Sequence, residues 1–106
     1  MALKKSDIPR PLPPAEAVPV EALGGEVIVR GLLLSERLEI AVSTSGARFK
    51  QIPKLLALTV VDADQLPIFS ETEWEAFGAR HFDAALSLFK VAQRLSGLDG
   101  DDAEKN

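Results

Sequence analysis

The stretch Val18-Pro19-Val20-Glu21-Ala22-Leu23-Gly24-Gly25-Glu26-Val27-Ile28-Val29-Arg30 decides what kind of fold this chain adopts. It is valine-rich on both sides of a glycine pair, and β-branched side chains suit a pleated surface. Gly24-Gly25 can close a two-residue hairpin turn, because glycine tolerates positive φ. That turn pairs Ala22 with Val27 and Val20 with Val29. Val18, Val20, Ala22, Val27 and Val29 then share one face, and Glu21, Ile28 and Arg30 share the other. Pro19 cannot donate to a ladder, so the first strand is predicted at a sheet edge. A lone hairpin is barely stable in water, so this one must lean on the rest of the chain.

The residues after the hairpin carry helix signals. Ser35 is placed as an N-cap, with Glu36 in the first turn to meet the helix dipole. Leu34, Leu38, Ala41 and Val42 fall on one side of that helix, and Ser43-Thr44-Ser45-Gly46 ends it. Phe49, Ile52, Leu56 and Val60 also keep helical spacing. Pro53 is tolerated only in a first turn, so this second helix is expected over about 52–61. Its segment 55–61 is almost wholly apolar, a pattern that a buried strand also gives. Asp62-Ala63-Asp64-Gln65-Leu66-Pro67 reads as a turn. Ser70 and Glu73 have capping-box spacing, with Phe69 and Trp74 placed as a hydrophobic staple around the cap. The helix they begin is expected to end near Gly78. The last helix, about 80–95, repeats Phe82, Ala85, Leu86, Phe89, Ala92 and Leu95 at three- and four-residue steps. Gly97 stands where a left-handed C-cap belongs, and Leu98 can fold back on the last turn. These elements make the fold class α+β and predominantly helical: a small N-terminal β-hairpin followed by about four helices.

That fold occupies residues 18–98 as a single globular domain, since 106 residues leave room for one. Residues 1–17 contain Pro9, Pro11, Pro13 and Pro14, which fix φ and push their neighbours toward extended geometry. They are expected to form a flexible arm, and a polyproline segment of this kind can also dock on a partner. Residues 99–106 read as a disordered acidic tail. The formal net charge is −4, and no basic face is on offer to displace counterions from nucleic acid. The absence of cysteine removes disulfides, thiol nucleophiles and thiolate zinc sites together, and fits a reducing cytoplasm. No apolar run is long enough to span a bilayer, and the first residues lack the apolar stretch of a signal peptide.

Chemistry-bearing patterns fall away one by one. Asp62, Asp64 and Glu73 stand at the first, third and twelfth positions of a calcium loop, but Leu66 replaces the fifth-position oxygen and Pro67 the sixth-position glycine. A turn followed by a helix cap accounts for the same residues. His81 is the single histidine, and no ligand cluster surrounds it in sequence. It is read as a helix-start or packing residue. No glycine-framed nucleophile and no phosphate loop occurs. The chain is therefore expected to lack enzymatic activity, cofactors and metals, and to work by binding another protein. Trp74, Phe77, Phe82 and Phe89 admit two readings, as core or as a partly exposed aromatic patch. Trp74, Phe77 and Phe82 are the candidate protein-binding residues.

The order of segments resembles a known family. A hairpin closes on Gly-Gly and runs into Glu26-Val27-Ile28-Val29-Arg30-Gly31-Leu32. A helix comes next, then Leu58-Thr59-Val60-Val61-Asp62-Ala63-Asp64 and Ile68-Phe69-Ser70. The end is Leu86-Ser87-Leu88-Phe89-Lys90-Val91-Ala92-Gln93-Arg94-Leu95-Ser96-Gly97-Leu98. Over roughly residues 17–98 this is similar to the small tail assembly chaperones of long-tailed bacteriophages and prophages. Relatives tend to carry glycine where this chain has Gln65, and an uninterrupted helix where it has Pro53. The resemblance implies a protein that holds the tape-measure protein soluble in the cytoplasm of the bacterial host. It would help load tail-tube subunits, self-associate around its client, and be absent from the mature virion. Such chaperones often come in two lengths, the longer made by a programmed frameshift.

Two other readings compete. An acidic regulatory binder, of antitoxin or inhibitor type, needs negative charge concentrated on one folded face, whereas much of the acid here lies in 99–106. A structural tail component would remain in the particle. The residues Glu104-Lys105-Asn106 can be coded GAA-AAA-AAC, which contains the slippery run A-AAA-AAC. The nucleotide sequence is expected to show that run with an overlapping open frame beyond it; a non-slippery coding with no overlapping frame would remove this support for the chaperone reading.

Overall fold

The computed structural model describes residues 2–43 and 51–97. Among the described residues, three strands and four α-helices succeed one another as β1 (Ala15–Val20), β2 (Gly25–Arg30), α1 (Leu34–Ser43), α2 (Gln51–Thr59), β3 (Val60–Val61), α3 (Glu71–Arg80) and α4 (Phe82–Leu95). The sheet order is β1-β2-β3 with both pairs antiparallel. The fold is α+β and helix-rich, as the sequence predicts.

The hairpin differs from expectation in its turn. Glu21–Leu23 form a short 3-10 turn, and Gly24 closes it at φ 79° with its N–H donating to the Glu21 carbonyl at 3.0 Å. Val20 therefore faces Gly25 instead of Val29, and Val18 faces Val27. The register moves by four residues, from Val29 to Gly25 as the partner of Val20. An even shift keeps every side chain on its face. Val20, Val27 and Val29 are buried accordingly, while Ala22 leaves the ladder for the turn. Pairing also starts earlier than residue 18: Ala15 faces Arg30, and the Gly31 N–H donates to the Pro14 carbonyl at 2.7 Å. The arm thus comprises the residues up to 14 and contains a 3-10 turn at Lys5–Asp7. Pro19 lies in the edge strand, as its missing donor requires.

The hairpin does not stand alone. Val60 and Val61, predicted as the end of a helix, pair with Val29 and Ile28 as β3. Thr59 donates its hydroxyl to the Leu55 carbonyl at 2.7 Å, and the chain switches from helix to strand at the next residue. Asp62 then organises the turn. Its Oδ1 accepts from the N–H groups of Asp64 (2.8 Å) and Leu66 (3.0 Å). Gln65 sits at φ 68°, the left-handed region that glycine occupies at least cost.

Pro53 lies in the first turn of α2, where a missing N–H does no harm. The box at α3 forms as predicted: Glu73 N–H donates to Ser70 Oγ, and Ser70 N–H donates to Glu73 Oε1 at 2.9 Å. That helix runs past Gly78 to Arg80, because Gly78 is packed helically against α4, with space for a Cβ 3.6 Å from that of Ala85. α4 buries Ala85, Leu88 and Ala92, with Phe89 and Leu95 on their flanks. Together with Val29, Leu55, Leu56, Val60 and Trp74 these form the core.

The crossing from β2 to α1 passes over the C-terminal end of α4. A Cβ on Gly31 would lie 2.5 Å from the Leu95 carbonyl oxygen and 3.2 Å from Pro14 Cδ. Next to it, Leu32 N–H donates to the buried Ser96 Oγ at 3.0 Å. Gly97 takes φ 70°, the left-handed C-cap expected of it; the fold-back of Leu98, the contribution of Phe49 and the acidic tail lie outside the described residues. Gly31→Ala is expected to cost about 1–3 kcal/mol in urea unfolding, because backbone must move to admit one methyl. Gly25→Ala, with open space around it, should stay within about 0.5 kcal/mol of wild type. Equal effects at the two glycines would contradict the close crossing.

Candidate protein-binding surfaces

α1 is held by polar ties more than by apolar burial. Arg30 forms a two-pronged pair with Glu36, Nη1 to Oε1 at 3.0 Å and Nη2 to Oε2 at 2.9 Å. Glu36 Oε1 also accepts from the Leu33 N–H at 2.9 Å, so the carboxylate caps the first turn from inside. Leu33, not Ser35, is the residue that enters the helix in the N-cap position, its carbonyl accepting from Arg37 N–H. Arg37 Nη2 reaches the Gly97 carbonyl at 3.2 Å, and Lys54 Nζ meets Glu39 at 3.1 Å. Ile40 alone among the α1 side chains described is buried, at 2% exposure.

These ties fix which way the helix faces. Ile40 points in, so the side that carries Leu34, Leu38 and Val42 points out, at 76%, 59% and 80% exposure. Leu33 and Ala41 are exposed beside them. Residues spaced at i, i+4 and i+8 form one stripe along a helix. The sequence groups these residues correctly but does not mark them as outward-facing. The available signal is that the helix is apolar on two sides, and a helix packed against a single domain buries one.

Glu36 is the titrating group in this mooring. Its hydrogen bonds from Arg30 hold the carboxyl below the ordinary glutamate value; partial burial pushes it up, and the Leu33 N–H and the Arg30 charge lower it further.

The predicted aromatic trio does not form one exposed patch. Trp74 is 2% exposed, in edge contact with Phe69 (5.0 Å, 76°) and Phe77 (5.3 Å, 86°). It is the inner half of the staple with Phe69, and that position turns it under the helix cap and into the core. Phe77 is half-buried against the same cluster and against the His81 ring at 5.0 Å. Phe82, at 61%, is the one member left on the surface. It stands at the mouth of a groove of about 480 Å³ between α2, α3 and the start of α4. Ile52, Pro53 and Leu86 give this groove an apolar lining, with Glu71 and Glu75 on its α3 side. Trp74 contributes to its wall, and the buried indole Nε1 finds no acceptor among the described residues.

A second, wider cleft of about 800 Å³ lies between the β1 turn and the start of α4, where Arg80, His81, Asp83 and Ser87 mix with apolar groups. His81 joins α3 to α4, making no side-chain cap bond. Among the described residues, no three acidic or histidine side chains gather where they could hold a metal ion, and no helix is long and apolar enough to cross a membrane. No family model, curated protein or solved structure matches the chain.

A carboxyl whose folded value is depressed stabilises the fold above its unfolded value, and that contribution is lost as pH falls toward the folded one. Wild type should therefore lose stability relative to Glu36→Gln on the acid side of the ordinary glutamate value, the two converging when both are uncharged. Urea midpoints measured across that window check this; a constant gap at every pH would show that Glu36 does not act through its charge.

Proposed function

We propose that this chain is a tail assembly chaperone of the long-tailed phage type, one that binds the tape-measure protein, keeps it soluble and helps recruit tail-tube subunits. The resemblance in the order of segments over roughly residues 17–98 supports the reading. The observation that carries it is the outward stripe of Leu34, Leu38 and Val42. This stripe is about 12 Å long, two turns of helix, and can lie along the apolar face of a helical client.

The energetics suit a chaperone. Burying one such side chain contributes roughly 1.5–3 kcal/mol. Three of them barely offset the cost of association, estimated at about 4–15 kcal/mol. One copy alone then holds its client weakly and can be displaced by incoming tube subunits. Several copies along one long client would bind it firmly by avidity. On this reading the protein acts in the host cytoplasm and leaves before the virion is complete.

Co-expression with the tape-measure protein of the same genome provides the test. Wild type should bring the client into the soluble fraction. Leu38→Glu, at an exposed position, should keep its unfolding free energy within about 0.5 kcal/mol of wild type yet leave the client insoluble. A client that stays insoluble with wild type would overturn the chaperone reading. Full solubility with Leu38→Glu would instead remove the stripe from it.

A further inference from the structure

We infer that the N-terminal arm of one copy docks in the groove between α2, α3 and α4 of a second copy, so that the chain assembles head to tail. The inference rests on the arm and the groove alone and does not require the tail-assembly reading.

The arm is a ligand without a site. Residues 2–12 are all exposed, Leu3, Ile8 and Leu12 among them. Pro9, Pro11, Pro13 and Pro14 hold its second half extended before anything binds, which lowers the entropy cost of docking. Proline lacks the N–H but keeps the carbonyl, so the segment before Pro14, whose own carbonyl Gly31 N–H occupies, presents acceptors to a partner. Its charge runs against that of the chain: Lys4, Lys5 and Arg10 outnumber Asp7, while the whole protein carries −4.

The groove has the complementary properties. It is apolar between α2 and α4 and acidic along α3, where Glu71 and Glu75 are one turn apart on the same side. Lys54 stands 3.8 Å from Glu71, and Glu75 has no ion-pair partner among the described residues. Trp74 in the wall gives the groove an aromatic side of the kind on which proline-rich segments dock.

The fold puts arm and groove at opposite ends of α4. Pro14, the root of the arm, lies beside Gly31 and Leu95. The groove meets α4 at Phe82, Ala85 and Leu86, nine residues and about 13 Å from Leu95 along the axis. Fully extended, an arm of this length spans at most about 40 Å, and the 3-10 turn at Lys5–Asp7 shortens it. Arm and groove are different surfaces, so their contact between copies is heterologous and can repeat from copy to copy, giving chains or rings.

Charge reversal on full-length protein tests the inference, read by sedimentation equilibrium and by emission from the single tryptophan, Trp74. Wild type should show a mass that rises with concentration and falls with added salt, with Trp74 emission changing over the same range. Combined Lys4→Glu, Lys5→Glu and Arg10→Glu should weaken association by at least about tenfold, and so should combined Glu71→Lys and Glu75→Lys. Uniting all five changes in one chain should restore it, a rescue that mere misfolding would not give. A wild-type monomer at every concentration would overturn the proposal. So would association that survives reversal of the arm. A monomer in which arm reversal still shifts Trp74 emission would place the arm in its own groove and overturn assembly between copies.

Discussion

Gly31 passes the end of α4 so closely that no side chain fits, and the rest of the molecule is arranged around that passage. A methyl there would meet the Leu95 carbonyl at 2.5 Å. The close approach brings Leu32 N–H onto Ser96 Oγ and sets Arg30 where it can pair with Glu36. From that point α1 is moored by hydrogen bonds and ion pairs, with Ile40 as its apolar contact to the core. The direction of its outer face is a consequence. A domain of this size is stable by only about 5–15 kcal/mol. Leaving Leu34, Leu38 and Val42 in water forgoes roughly 1.5–3 kcal/mol for each. A stripe kept outward at that cost is the feature that points to a partner.

How much of this is legible in the sequence depends on what a pattern can encode. The two-residue period of the hairpin places Val20, Val27 and Val29 on the buried face even though the turn is longer than Gly24-Gly25 suggests, because parity survives an even slip. The capping box at Ser70 and Glu73 is local chemistry and appears as read. Gln65 adopts the left-handed backbone that glycine occupies at least cost, which its residue type does not announce. Pairing between distant segments is less visible. Val60 and Val61 continue an apolar run that suits helix or strand, and the choice is made by Val29 and Ile28, more than thirty residues away. Periodicity groups Leu34, Leu38 and Val42 but cannot say which way they face; Arg30 and the end of α4 decide that. Trp74 shows the converse, since an aromatic that looks like an anchor is drawn inside by its place as a staple.

Two surfaces with different chemistry result. The α1 stripe is apolar and helical, suited to the side of another helix. The groove beside Phe82 is apolar with an acidic rim, suited to an extended basic segment. On the proposed function the first would be the client surface, and docking of the arm in the second would place several copies along that client. Trp74 and Phe69 pack edge to face and hold α3 in place, so the aromatic cluster shapes the groove from its wall.

Whether the α1 stripe is a client surface is measured most directly by hydrogen exchange on the full chain, alone and with the tape-measure protein proposed as its client. Amide exchange in a helix slows when a partner covers it and suppresses its local opening. Slowing is expected to concentrate in residues 34–42, with β2 and the centre of α4 unchanged. Client binding that leaves α1 exchange unaltered and protects another element would contradict a client-binding role for the stripe.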